Sequence, residues 1–164
     1  MEKIIFAVAI VIFTSFCGYL LAKKHRRKKL FFAQLNDFNE YFLNEIGYFR
    51  RPLGEFLRAH TYKGEFVLLL ESYLQRLKEG ETTLGFVFSI PELDFLTKEE
   101  KGEIDDYFNM LGKGDTTSQK TYFSSVKERL FVHRKRAEDA QNRYGDLYLK
   151  LGFLCGLFIV ILII

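Results

Sequence analysis

Ile4–Ala22 reads IIFAVAIVIFTSFCGYLLA, and Leu151–Ile164 reads LGFLCGLFIVILII. Neither run carries a charge, while the chain between them is polar and charged. The first run, as an α-helix, rises about 28 Å, close to the hydrocarbon thickness of a bilayer. The second rises only about 21 Å. Entry at Leu147, with the Lys150 ammonium reaching back to the surface, completes a span there. Two apolar ends around a charged centre read as a membrane hairpin. Residues 1–22 cross, residues 23–148 form a helical domain on one side, and residues 149–164 cross back.

The flanks set the orientation. Lys23, Lys24, His25, Arg26, Arg27, Lys28 and Lys29 follow the first run, and Arg143 and Lys150 precede the second. The positive-inside rule therefore expects a cytoplasmic middle with both termini across the membrane. A cleaved signal peptide carries its positive charge before the apolar core, and here most of it comes after. The same collar explains the net charge of +3: residues 23–29 hold six cations, Glu2 and Lys3 cancel, and the chain beyond Lys29 sums to −3. No basic face continues into the domain, which argues against nucleic acid. Lys23, Lys24, Arg26, Arg27, Lys28 and Lys29 serve either topology alone or also anionic lipid, at about 1 kcal/mol each. Cys17 and Cys155 both lie inside the apolar runs, so the middle has no disulfide framework and no cysteine metal site.

The middle reads as helices throughout. Phe31, Leu35, Phe38, Phe42, Ile46 and Phe49 recur at three- and four-residue spacing on a first helix that continues from the apolar run. Pro52 ends it and opens a short helix to Ala59. Gly64 precedes a helix that turns Phe66, Leu69, Leu70, Tyr73, Leu74 and Leu77 inward, and Gly80 stops it. Glu81–Leu96 is open between a short helix to Ser89 with a turn at Pro91, and a strand FVFSI that has no partner strand. Thr97 with Glu100 forms a capping box for a helix burying Ile104, Tyr107, Phe108 and Leu111. Thr116 with Gln119 forms a second such pattern. Beyond it Phe123, Val126, Leu130, His133, Ala137, Ala140, Tyr144, Leu147, Leu151, Leu154 and Phe158 alternate spacings of three and four, a heptad seam. The expected fold is all-α: a helical bundle with N- and C-terminal transmembrane helices, the last helix running unbroken from bundle into membrane, with Gly145 as a soft point.

Small residues mark the spans. Gly152 and Gly156 form a G-x-x-x-G pair, and Thr14, Gly18 and Ala22 form small-xxx-small in the first run. Both sets lie toward the cytoplasmic ends, so the two spans are candidates to pack on each other.

Chemistry is harder to find. LGKGDTTS at 111–118 lacks the Ser or Thr that must follow Gly-Lys in a phosphate loop, since Gly114 follows Lys113. His25, His60 and His133 have no second ligand at metal spacing, and His133 on the seam reads as a packed or solvent-edge residue. Ser124 and Ser125 fit no triad order. The expectation is no enzyme, no cofactor, no catalytic residue and no metal.

Three segments carry a resemblance to the stage III sporulation protein AB family of endospore-forming bacteria. Glu45-Ile46-Gly47-Tyr48 followed by Pro52-Leu53 resembles its E-I-x-Y…P-L segment. Leu111-Gly112-x-x-Asp115-x-x-x-Gln119 resembles its L-G-x-x-D-x-x-x-Q segment. Leu151-Gly152-Phe153-Leu154-x-Gly156-Leu157 resembles its C-terminal span. Phe49 and Arg51 stand where that family has a glycine and a small residue. The resemblance implies a component of a multi-protein complex in the mother-cell membrane around the forespore, a secretion-like channel complex. It implies a bundle similar to the helical domains of the type II secretion platform protein, and a partner resembling a secretion ATPase. Glu45, Ile46, Tyr48, Pro52, Leu111, Gly112, Asp115 and Gln119 are its motif positions, without an assigned role. Partners are then membrane lipid and other stage III proteins, with oligomerisation open. A membrane-anchored regulator or signalling adaptor ranks second, because it should show a sensor domain outside or an output enzyme inside. A membrane enzyme ranks last, because its spans tend to hold charges.

Overall fold

The computed structural model describes residues 2–48 and 53–163. Its elements are α1 (Glu2–Tyr48), α2 (Leu53–Ala59), α3 (Glu65–Glu79), two 3₁₀ turns (Phe86–Ser89 and Pro91–Leu93), α4 (Lys98–Met110), α5 (Thr116–Ala140), a π turn (Gln141–Gly145) and α6 (Asp146–Ile163). Among the described residues there is no strand. The expectations for Phe49, Arg50, Arg51 and Pro52 lie outside the described residues. The chain divides into two compact units, Leu30–Arg134 and the pair Met1–Lys29 with Lys135–Ile164. These cuts fall 7 residues inside the first sequence boundary (Ala22) and 14 residues before the second (Tyr148), so the paired helices extend well past the apolar runs.

Unit Leu30–Arg134 is held by aromatic packing. Phe38 is fully buried, and its ring lies 5.4–6.3 Å from those of Phe42, Phe56, Tyr62, Phe66, Tyr107 and Phe108. Edge-on and offset pairs of this kind contribute about 0.5–1.5 kcal/mol each beyond area burial. The stripe on α1 is wider than the sequence spacing suggests, because Phe32, Asn36 and Asn39 are buried beside Phe31, Leu35 and Phe38. Phe32 stacks on His133. Asn39 is the polar node of three helices: it accepts from the Tyr107 hydroxyl at 3.1 Å and donates to the Phe123 carbonyl at 3.3 Å. Burial pushes the Tyr107 hydroxyl well above its usual pKa, so it stays a donor.

Seam and stripe pack antiparallel. Phe123, Val126 and Leu130 are buried. The Phe123 ring meets Phe42 edge-on at 4.7 Å, and Lys127–Glu40 and Arg134–Asp37 pair alongside at 3.5 and 3.4 Å. On α3, Phe66, Leu69, Leu70 and Tyr73 are buried, but Leu77 is 42% exposed. The reason is coverage: Phe86–Ser89 meets α3 through Tyr73 and through Arg76, which donates to the Ser89 hydroxyl, and leaves the face of Leu77 uncovered.

The stretch open in sequence, Glu81–Leu96, resolves into tight 3₁₀ turns that bury Phe86, Val87, Ile90, Leu93, Phe95 and Leu96. Asp105 organises it. Its buried carboxylate accepts the Gly85 and Val87 backbone N–H groups at 2.7 and 3.3 Å and the Asn109 amide at 3.0 Å. The Thr97–Glu100 capping box forms in both directions. The second expected box does not cap α5. Asp115 is the N-cap, its carboxylate taking the Ser118 backbone N–H, so Thr116 already opens the helix.

Phe38→Ala removes the central ring of this cluster. It is expected to cost about 3–5 kcal/mol, read as a lower unfolding midpoint of the full chain in detergent by near-ultraviolet circular dichroism.

Candidate functional site

The paired unit buries small residues and exposes large ones. Gly18, Ala22, Gly145 and Gly156 are buried, while Phe13 and Phe158 are 68% and 63% exposed. A water-soluble pair sorts its side chains the other way. α1 and the continuous α5–α6 rod are the two described helices long and apolar enough to cross a membrane.

The pair approaches backbone to backbone. A Cβ on Gly152 would lie 2.7 Å from the Thr14 carbonyl oxygen and 3.2 Å from Gly18 Cα. On Gly156 it would lie 2.9 Å from Val11 Cα and strike the Thr14 hydroxyl. On Gly18 it would strike the Tyr148 carbonyl oxygen. No side chain larger than hydrogen fits at the three glycines, which is the geometry of small-residue packing. Thr14 donates within its own helix, to the Ile10 and Val11 carbonyls at 3.1 Å, so its contribution across the contact is packing.

The heptad seam does not continue into this contact. Leu147, Leu151, Leu154 and Phe158 are exposed, and the packed face is Tyr148, Gly152 and Gly156, with Tyr144 at its edge against His25. The π turn is the cause. Five α-helical turns hold about 18 residues, whereas buried Ala137 and buried Gly156 are 19 apart. The wide turn takes up the extra residue. Gln141 lies across Gly145 there, where a Cβ would strike its side-chain amide.

The collar follows directly. Lys23, Lys24 and Arg26 are exposed, and Arg27, Lys28 and Lys29 are half-buried. Lys29 pairs with Glu138 at 3.2 Å. His25 faces the partner helix, stacked on Tyr148 and tilted against Tyr144 with ring centroids 5.7 and 5.8 Å apart. Burial, then Lys28 and Lys24, hold its pKa below the usual value. Sequence reasoning missed this aromatic clasp, although tyrosine at a membrane boundary was available as its signal.

The motif segments meet at one end of unit Leu30–Arg134. Ile46 is one turn beyond Phe42 on α1, and Gln119 is one turn before Phe123 on α5, and those two phenylalanines touch. Glu45, Ile46 and Gln119 are half-buried. Leu111 is buried, Gly112 has φ +74° and so suits glycine, and Asp115 is the cap. Tyr48 closes α1 as a backbone position, and Pro52 lies outside the described residues. His133 has partners that sequence did not reveal: Glu103 at 2.9 Å and the Phe32 ring. Among the described residues no group of three metal-ligating side chains comes together.

The family model described as stage III sporulation protein AB matches residues 3–164. No curated protein and no solved structure matches the chain.

Two predictions follow from this geometry. With Cys17 and Cys155 changed to Ser, a short thiol crosslinker should join His25→Cys to Tyr148→Cys. Gly156→Ile, or deletion of Asn142 to restore an α turn, should abolish that product; crosslinking indifferent to both would show that neither glycine nor π turn sets the contact. The second concerns Asp115. The Ser118 backbone and hydroxyl donors, then Thr117, hold its carboxyl below its ordinary 3.8. A depressed carboxylate stabilises the fold fully above its unfolded pKa and loses that contribution as pH falls through the folded value. Asp115→Ala should therefore narrow its helicity deficit against the parent chain as pH drops below about 3.8, read by far-ultraviolet circular dichroism.

Proposed function

The chain belongs to the stage III sporulation protein AB family, and from that premise we propose that it is a non-enzymatic platform component of a secretion-like channel complex between mother cell and forespore. Its role is in sporulation. In this reading the two apolar helices anchor it in the mother-cell membrane as a two-pass protein, with the bundle in the cytoplasm. The bundle docks a secretion-type ATPase of the same complex. The observation that supports docking is the convergence of the E-I-x-Y and L-G-x-x-D-x-x-x-Q segments at one end of the bundle, remote from Leu30 and Arg134 where the chain enters and leaves. Leu111, Gly112 and Asp115 have folding roles there. Among the described motif side chains Glu45, Ile46 and Gln119 remain part-exposed, and they form the docking surface.

The test is co-purification of the ATPase from sporulating cells with the tagged chain. Ile46→Asp combined with Gln119→Ala should weaken ATPase association at least about tenfold, equivalent to about 1.4 kcal/mol, and lower spore yield, with the bundle's melting unchanged. Undiminished co-purification would move the docking surface elsewhere. A reporter fused at Glu79 should behave as cytosolic and one after Ile164 as external, and the reverse at Glu79 would overturn the reading.

A further inference from the structure

α1 is covered by its partner on one side only. Gly18, Ala22, His25 and Lys29 lie within about 60° of one another around the helix axis at 100° per residue. Each of the four is buried or half-buried, and Gly18, His25 and Lys29 meet Gly152, Tyr148 and Glu138. Counted the same way, Lys23, Lys24, Arg26 and Arg27 occupy the opposite arc of about 160°, and Lys23, Lys24 and Arg26 are exposed. The collar is thus a crescent of like charge facing outward. His25, whose pKa burial lowers, is turned inward.

The same outward arc continues into the apolar run as a ridge of large side chains. Ile12, Phe13, Phe16, Tyr19 and Leu20 are each about half or more exposed and fall on it by the same count. A face with cations at one end and an exposed aromatic and aliphatic ridge beneath them matches one chemistry in both parts, an anionic headgroup on acyl chains. A peptide or a free phosphate uses the cations and leaves the ridge bare.

We propose that the outward face of α1 is a binding surface for anionic phospholipid, with the headgroup phosphate on Lys23, Lys24 and Arg26 and the acyl chains along Phe16 and Leu20. This rests on the reading of α1 as a membrane span. Glu138, Asp139 and Asp146 sit on the partner rod; Glu138 holds Lys29, and none of the three is on α1, so the crescent contains no acid.

The experiment is native mass spectrometry of the full chain released from detergent, titrated with phosphatidylglycerol or phosphatidylcholine of equal chain length. The expected result is at least about tenfold greater retention of phosphatidylglycerol, since three cations at about 1 kcal/mol each allow for more than that. The variant Lys23→Gln, Lys24→Gln, Arg26→Gln should lose the preference, and Lys23→Arg, Lys24→Arg, Arg26→Lys should keep it. Equal retention of both lipids overturns the proposal and leaves the span intact. Displacement of phosphatidylglycerol by millimolar glycerol phosphate overturns it in favour of a free-phosphate site. A chain that stays monodisperse without detergent and retains neither lipid overturns the span reading itself.

Discussion

The contact between Gly18 and Gly152 constrains more of this protein than any other. Two helix backbones touch there, and a single methyl on either side has no room. Close approach of this kind draws its stability from dispersion between backbones, since apolar surroundings give no hydrophobic drive to bring helices together. It also dictates the face that α6 must present. The seam arriving along α5 through Ala137 presents leucines next, not glycines. One extra residue in the helix turns Gly152 and Gly156 onto the contact and sends Leu147, Leu151 and Leu154 outward.

The bundle solves the opposite problem. Its interior is filled by large rings, and a core so rich in phenylalanine gives many near-equivalent packings. Two buried polar groups discriminate among them. Asn39 has a donor and an acceptor used by different helices, so a slip of α1 against α4 or α5 would leave at least one buried amide group unpaired, at about 1–3 kcal/mol. Asp105 does the same for the Glu81–Leu96 stretch by holding two backbone N–H groups.

Legibility from sequence tracked the range of the interaction. The Thr97–Glu100 box spans four residues and was readable as a pattern. So were the stripes through Phe38 and Phe123, because burial on a helix repeats within the window of a few turns. Asn39 was not readable as a node, because its partners Tyr107 and Phe123 are 68 and 84 positions away. The glycines Gly18, Gly152 and Gly156 were visible by spacing, yet the seam drawn through Leu147 and Leu151 was not the packed face. That error has one source. A π turn has no residue signature of its own, and Gly145 was legible only as a soft point.

The position of the π turn follows from the same physics. A π turn leaves backbone groups poorly matched at its edges, and in hydrocarbon each unsatisfied group costs several kcal/mol. Within Leu151–Ile164 there is no polar side chain and no water to repair that mismatch. In Gln141–Gly145 solvent is at hand, because Asn142, Arg143 and Tyr144 are exposed. Rotation of the helix is therefore cheapest in the last polar turns before the apolar run. Once the glycine face has been set there, an uninterrupted α-helix carries it through Gly156 with every backbone bond made internally.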